Sequence, residues 1–88
     1  MRVRFFGSLS SGGSKEIDIS LGKSSRKLID VMSFLQEKYR GVNLISNGKL
    51  RPDVIILING KDYRLLGGID TQLSNLDEIS IIPINHGG

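Results

Sequence analysis

The residues able to do chemistry are few. Cysteine is absent and His86 is the single histidine among 88 residues. Disulfides, thiolate metal sites, a cysteine nucleophile and a histidine cluster are thereby excluded. The carboxylates are scattered, so no metal site is expected. Gly22-Lys23-Ser24 lies between a strand pattern and a helix pattern, as a phosphate-binding loop would. That motif needs a glycine five residues earlier, where the chain has Ile17. Gly7 to Lys15 approximates the same motif, but Gly13 stands where the lysine belongs and a strand pattern follows. Asp77 and Glu78 are adjacent in a turn region and point apart, so they read as solvated charge. His86 has no triad partners near it in sequence and reads as a polar residue of a tail. With no catalytic constellation, we expect no catalysis by this chain.

The informative feature is Gly87-Gly88. A terminal glycine has no Cβ, so its carboxylate can enter a narrow channel and offer either face to a reagent. From Pro83 to Gly88 the extended chain reaches on the order of 20 Å at ~3.3 Å per residue. Such a tail can thread a partner's active site while the domain stays outside. The carboxylate itself is an anion at neutral pH, with a pKa of about 3.5, and repels nucleophiles. It must be activated, most simply as an acyl-adenylate made from ATP. Nothing in this chain could do that, so a partner enzyme must.

The elements that would carry this tail can be read from periodicity. Met1, Val3 and Phe5 alternate with Arg2, Arg4 and Phe6, a strand with one apolar face. Residues 15–21 alternate again, with Ile17, Ile19 and Leu21 on one side. The Gly/Ser-rich 7–14 between them predicts an antiparallel hairpin. The period then lengthens. Leu28, Met32, Leu35 and Tyr39, with Val31 beside them, form one helical stripe. The helix is predicted from about Ser25 to Arg40, with Ser24 or Ser25 as N-cap and Gly41 as stop. Residues 42–53 read as irregular, broken by Asn47-Gly48 and Pro52. Val54 to Ile58 is an apolar strand closed by Asn59-Gly60. Tyr63, Leu65 and Leu66 suggest a short strand, residues 73–78 a turn region, and 79–84 a last strand. This order predicts an α+β domain, a sheet with one main helix on one face, over residues 1–83, and a flexible Gly-Gly tail over 84–88.

Bulk properties agree with one small domain. The chain is 39% hydrophobic and 24% charged, which excludes a disordered composition. No apolar run is long enough to span a bilayer, and no signal-peptide pattern is present. We expect no membrane association and a cytoplasmic location. The net charge of +3 is spread along the chain without a dense basic stripe, so no direct, specific nucleic-acid binding is expected.

Residues 50–59 (Leu-Arg-Pro-Asp-Val-Ile-Ile-Leu-Ile-Asn), then Asp62-Tyr63-Arg64-Leu65, Gly68-Ile69-Asp70, Leu73, Asp77-Glu78-Ile79 and His86-Gly87-Gly88, closely resemble the ubiquitin-related modifier family. This is the β-grasp sulfur-carrier branch that includes the small subunit of molybdopterin synthase and the thiamine sulfur carrier. The resemblance implies a ubiquitin-like β-grasp fold with a mixed sheet. It implies that an adenylating enzyme of the ubiquitin-activating type, using ATP, activates the terminal glycine. A sulfurtransferase system then replaces AMP with sulfur to give a thiocarboxylate. That species donates sulfur, typically to tRNA through a thiolation enzyme, or the activated carrier is attached to protein lysines. No cofactor is bound by the carrier itself. By the motif match, Gly88 carries the acyl group, Gly87 gives access and His86 belongs to the recognised tail. Pro83, in the approach to the end, leans towards the molybdopterin-synthase subunit, which defines the alternative reading. A plain β-grasp binding module is the third.

The partner must also grip the domain. If Ile79 and Ile81 face the core, Ile82 and Ile84 face outward, and Val54 to Ile58 is likewise apolar on both sides. One reading makes Phe6, Ile82, Ile84 and one set from Val54 to Ile58 a docking surface, with Arg4 at its rim. The other folds Leu44 and Ile45 over one edge of the sheet as a thicker core.

Overall fold

A computed structural model describes residues 1–7, 15–22 and 26–84. The alternating segments at each end of the chain meet in one sheet. β1 (Arg2–Phe5) pairs antiparallel with β2 (Lys15–Asp18), as expected for the predicted hairpin. β1 also pairs with β9 (Glu78–Pro83), in parallel, through Val3↔Ile79 and Phe5↔Ile81. β6 (Val54–Ile58) lies antiparallel on the far side of β9, and β7 (Lys61–Asp62) closes that edge. The five strands run in the order β2-β1-β9-β6-β7, a mixed sheet with its only parallel pair at the centre.

Between β2 and β6 the chain crosses one face of this sheet as α1 (Leu28–Lys38). Leu28, Val31, Met32 and Leu35 are its buried residues, one stripe at helical spacing. They meet Val3, Phe5, Ile56, Ile79 and Ile81, each at most 1% exposed. Each such side chain contributes roughly 1.5–3 kcal/mol on burial. The alternation sets which face packs, since a slip by one residue would turn Val3 and Phe5 into solvent.

The helix is shorter than the stripe suggested. Arg26 and Lys27 form β3 (Arg26–Lys27), paired with β8 (Gln72–Leu73), and the Leu28 N–H donates to the Thr71 carbonyl at 2.8 Å. Strand pairing therefore holds the entry to the helix, and Lys27 at the N-cap makes no side-chain capping bond. Ser24 and Ser25 lie outside the described residues. At the other end Tyr39 is already extended, and Gly41 takes the left-handed conformation expected of a stop, φ +85°.

The irregular 42–53 contains a small hairpin, β4 (Ile45–Ser46) with β5 (Lys49–Leu50), turning on left-handed Asn47 and Gly48. Tyr63–Leu65 is a 3-10 turn, not the short strand its apolar residues suggested. Asp62 accepts the Arg64 N–H at 2.9 Å and turns the backbone out of the sheet there. A second such turn, Gly68–Asp70, leads into β8.

Candidate functional site

The last strand carries the chain out of the core towards its tail, and several contacts hold its final residues. The Phe6 N–H donates to Ile81 O at 3.0 Å, and the Ile84 N–H donates to Asp53 O at 2.8 Å. The backbone is thus bonded on the β1 side up to Ile81 and on the β6 side up to Ile84, the last described residue of this segment. Asp53 is fixed in turn by Arg51, whose Nε and Nη2 donate to its carboxylate at 2.9 and 2.6 Å. Gly7 completes the root. It holds φ +61°, and a Cβ there would lie 3.1 Å from Pro83 Cγ. Proline therefore fits against glycine just where the strand ends. His86, Gly87 and Gly88 lie outside the described residues.

The sheet face away from the helix is open. Residues opposite one another in the register share a face, which places Glu16, Arg4, Ser80, Leu57 and Asp62 in one row across all five strands. Ile82 and Ile55 form the next row towards the tail, with Phe6 following Arg4 by alternation. Phe6, Ile55, Leu57, Ile82 and Ile84 are all half-buried, and none belongs to the core cluster or packs against it. Leu44 and Ile45 pack elsewhere. Both donate their N–H groups to Gln36 Oε1 of the helix, each at 3.1 Å, and Leu44 is fully buried.

Arg4 stands beside this apolar strip, 3.6 Å from Glu16 Oε2. Arg2 bridges Glu16 at 2.7 Å and Glu78 at 3.1 Å, so ion pairs run across the strands next to the strip. At the other edge the Arg64 guanidinium donates to Asp62 at 3.0 and 2.7 Å. Those bonds hold the Asp62 carboxyl down at about 2. Of the residues the sequence offered for docking, Arg4, Phe6 and Ile82 fall on this open face, with Ile84 following Ile82 by alternation. Sequence reasoning missed the Arg51–Asp53 clamp, where Pro52 had been read only as a breaker. It also missed the Gly7–Pro83 contact, which joins residues far apart in sequence. Among the described residues no three His, Asp or Glu side chains group as metal ligands. No described helix is long and apolar enough to cross a membrane.

A mixed five-stranded sheet with one helix across one face defines the ubiquitin-like β-grasp class. Within it, the chain belongs to the Urm1 (Ubiquitin related modifier) family, whose model matches residues 3–88. It is 33% identical over 95 residues to ubiquitin-related modifier 1 of Schizosaccharomyces pombe, covering 100% of this chain and 98% of that protein. It is 30% identical over 89 residues to a candidate sulfur carrier protein of Archaeoglobus fulgidus, covering 100% and 98%. The crystal structure of Sulfolobus solfataricus Urm1 superposes with a TM-score of 0.71 at 32% identity, covering 96% of this chain and 100% of that one.

Proposed function

We propose that this chain is a cytoplasmic sulfur carrier and protein modifier whose Gly88 carboxylate is the working group. A ubiquitin-activating-type enzyme, spending ATP, converts that carboxylate to an acyl-adenylate. A sulfurtransferase then displaces AMP, leaving a thiocarboxylate for tRNA thiolation, or the activated acyl group passes to protein lysines. Gly87 keeps the approach to the acyl carbon free of side chains, and His86 belongs to the segment the partner reads. The partner grips the open face through Phe6, Ile82 and Ile84, with Ile55 and Leu57 extending the strip and Arg4 at its edge. The single observation that carries the reading is a family match that reaches to Gly88. The similarity to a candidate sulfur carrier supports sulfur as cargo. The molybdopterin-synthase reading has no comparable support beyond a shared fold.

The test is adenylation by the activating enzyme of the same organism, followed by ATP–pyrophosphate exchange. Deleting Gly88 is expected to leave the fold unchanged and abolish exchange, because the acyl carbon is withdrawn from the nucleotide by one residue. Exchange at the full-length rate by the deletion variant would overturn the assignment.

A further inference from the structure

β1 and β9 run parallel and finish together, with Phe5 opposite Ile81, so one end of the domain holds the root of the tail. Lys15 stands at the same end, opposite Phe5 on the other neighbour strand. The helix also finishes there. Tyr39, just past its last turn, tilts against the Phe5 ring with centroids 6.0 Å apart. Two ammonium groups share the Tyr39 ring: Lys15 Nζ at 5.3 Å from its centroid and Lys38 Nζ at 5.6 Å. Arg40 follows directly and is exposed.

Among the described residues, none of Lys15, Lys38 and Arg40 pairs with a carboxylate, whereas Arg2, Arg4, Lys27, Arg51 and Arg64 all do. Glu16 and Glu37 are the acidic neighbours in sequence, and Glu16 is engaged by Arg2 and Arg4. Neither the segment 8–14 nor residues 79–88 contains an acidic side chain. The tyrosine ring holds the two ammonium groups near each other, a weak attraction of about 0.5–1 kcal/mol at an exposed site. Among the described residues Arg26, Lys49 and Lys61 are also unpaired, but Lys15 and Lys38 are the two that one ring brings together, at the end of the sheet where Phe5 lies opposite Ile81.

We propose that this end of the domain docks on an acidic protein surface, the rim of the site into which the activating partner takes the tail. The inference rests on the reading above and adds the partner's chemistry. A partner that receives the chain beyond β9 meets Lys15 two strands away, on the strand next to β1, with Lys38 sharing its tyrosine ring. A neutral or basic rim would desolvate or repel unpaired cations, while carboxylates there attract them. Two cations over one aromatic ring, with Arg40 next in sequence, are too sparse to track a phosphate backbone, which calls for a longer stripe. Rim charges of this kind act mainly on the encounter, raising the association rate at low salt.

Association rates with the activating enzyme, measured across a salt series, test the proposal. The Lys15→Glu/Lys38→Glu double variant is expected to associate roughly tenfold more slowly than the parent chain at low salt. The two rates should converge as screening shortens towards a few ångströms in about 1 M salt. The exchange rate at saturating carrier should stay unchanged. The neutral double variant Lys15→Gln/Lys38→Gln, which spares the helix end an added anion, should fall between. Equal rates for all three chains, or a salt-independent rate for the parent, would overturn the proposal. Loss of binding to bulk tRNA with unchanged enzyme association would also overturn it and assign the surface to nucleic acid. If the parent chain binds the enzyme and is not adenylated, the sulfur-carrier reading fails instead, and the salt series still decides the docking surface.

Discussion

Asp62 shows how one neighbour can set a half-buried side chain apart. Arg64 donates two side-chain bonds and a backbone N–H to its carboxylate, and the pKa falls from 3.8 to about 2. A depressed carboxyl favours the folded state above its unfolded pKa. That favour disappears as the pH falls through the folded value, here between about 4 and about 2. At neutral pH the contribution is constant. A carboxyl-carbon NMR titration should therefore give a midpoint near 2 for Asp62. In Arg64→Ala it should return to the ordinary range of about 3.9. An unchanged midpoint in the variant would show that another group depresses it. Residues of this kind were invisible in the sequence. Asp62-Tyr63-Arg64 had been read as part of a family pattern, and Tyr63 with Leu65 and Leu66 as a short strand. The pairing at i and i+2 closes only because the backbone turns there.

At the scale of elements, the joints decide the architecture. Asn59 closes the β6–β7 turn with φ 51°, a conformation most side chains resist. Its side-chain nitrogen donates to Asp77 Oδ1 at 2.8 Å, and its oxygen accepts the Glu78 N–H at 2.9 Å. One residue thus ties the hairpin to the start of the central strand. Asn59→Ala should lower stability by about 1–3 kcal/mol, from lost bonds and backbone strain together. Asn59→Gly should lose less, since glycine accepts the backbone angle. Denaturant midpoints would check both, and equal stability of Asn59→Ala and parent would contradict the account. The long elements were legible because their periods are strong: Val3 and Phe5, the Leu28–Leu35 stripe, the apolar Val54–Ile58 run. The start of the helix was not, because Arg26 and Lys27 are held by β8, some 45 residues downstream. Nor was the β4–β5 hairpin, whose strands are two residues each. Pairing that short leaves no alternation to detect.

The whole molecule is best understood as a rigid holder with three features at one place. The apolar strip of Phe6, Ile55 and Ile82, the clamped root at Ile84 and the cations around Tyr39 all lie towards the end where β9 finishes. The strip was half legible. Two-sided apolar strands announced it, but only the sheet order shows which residues become neighbours and that Leu44 and Ile45 join the helix side. Ile82→Asp puts a charge in the middle of the strip without touching the core, so it should fold normally and bind the activating enzyme at least tenfold more weakly. Affinity equal to that of the parent would reject the open face as the grip.

The central claim concerns the chemical state of Gly88, and the intact mass of the chain isolated from its native cell reads that state directly. The account expects a population heavier by the exchange of one oxygen for one sulfur, with the difference confined to the C-terminal peptide. An oxygen-to-sulfur mass shift on any other peptide, or a chain that never shows the shift in cells actively thiolating tRNA, would contradict it.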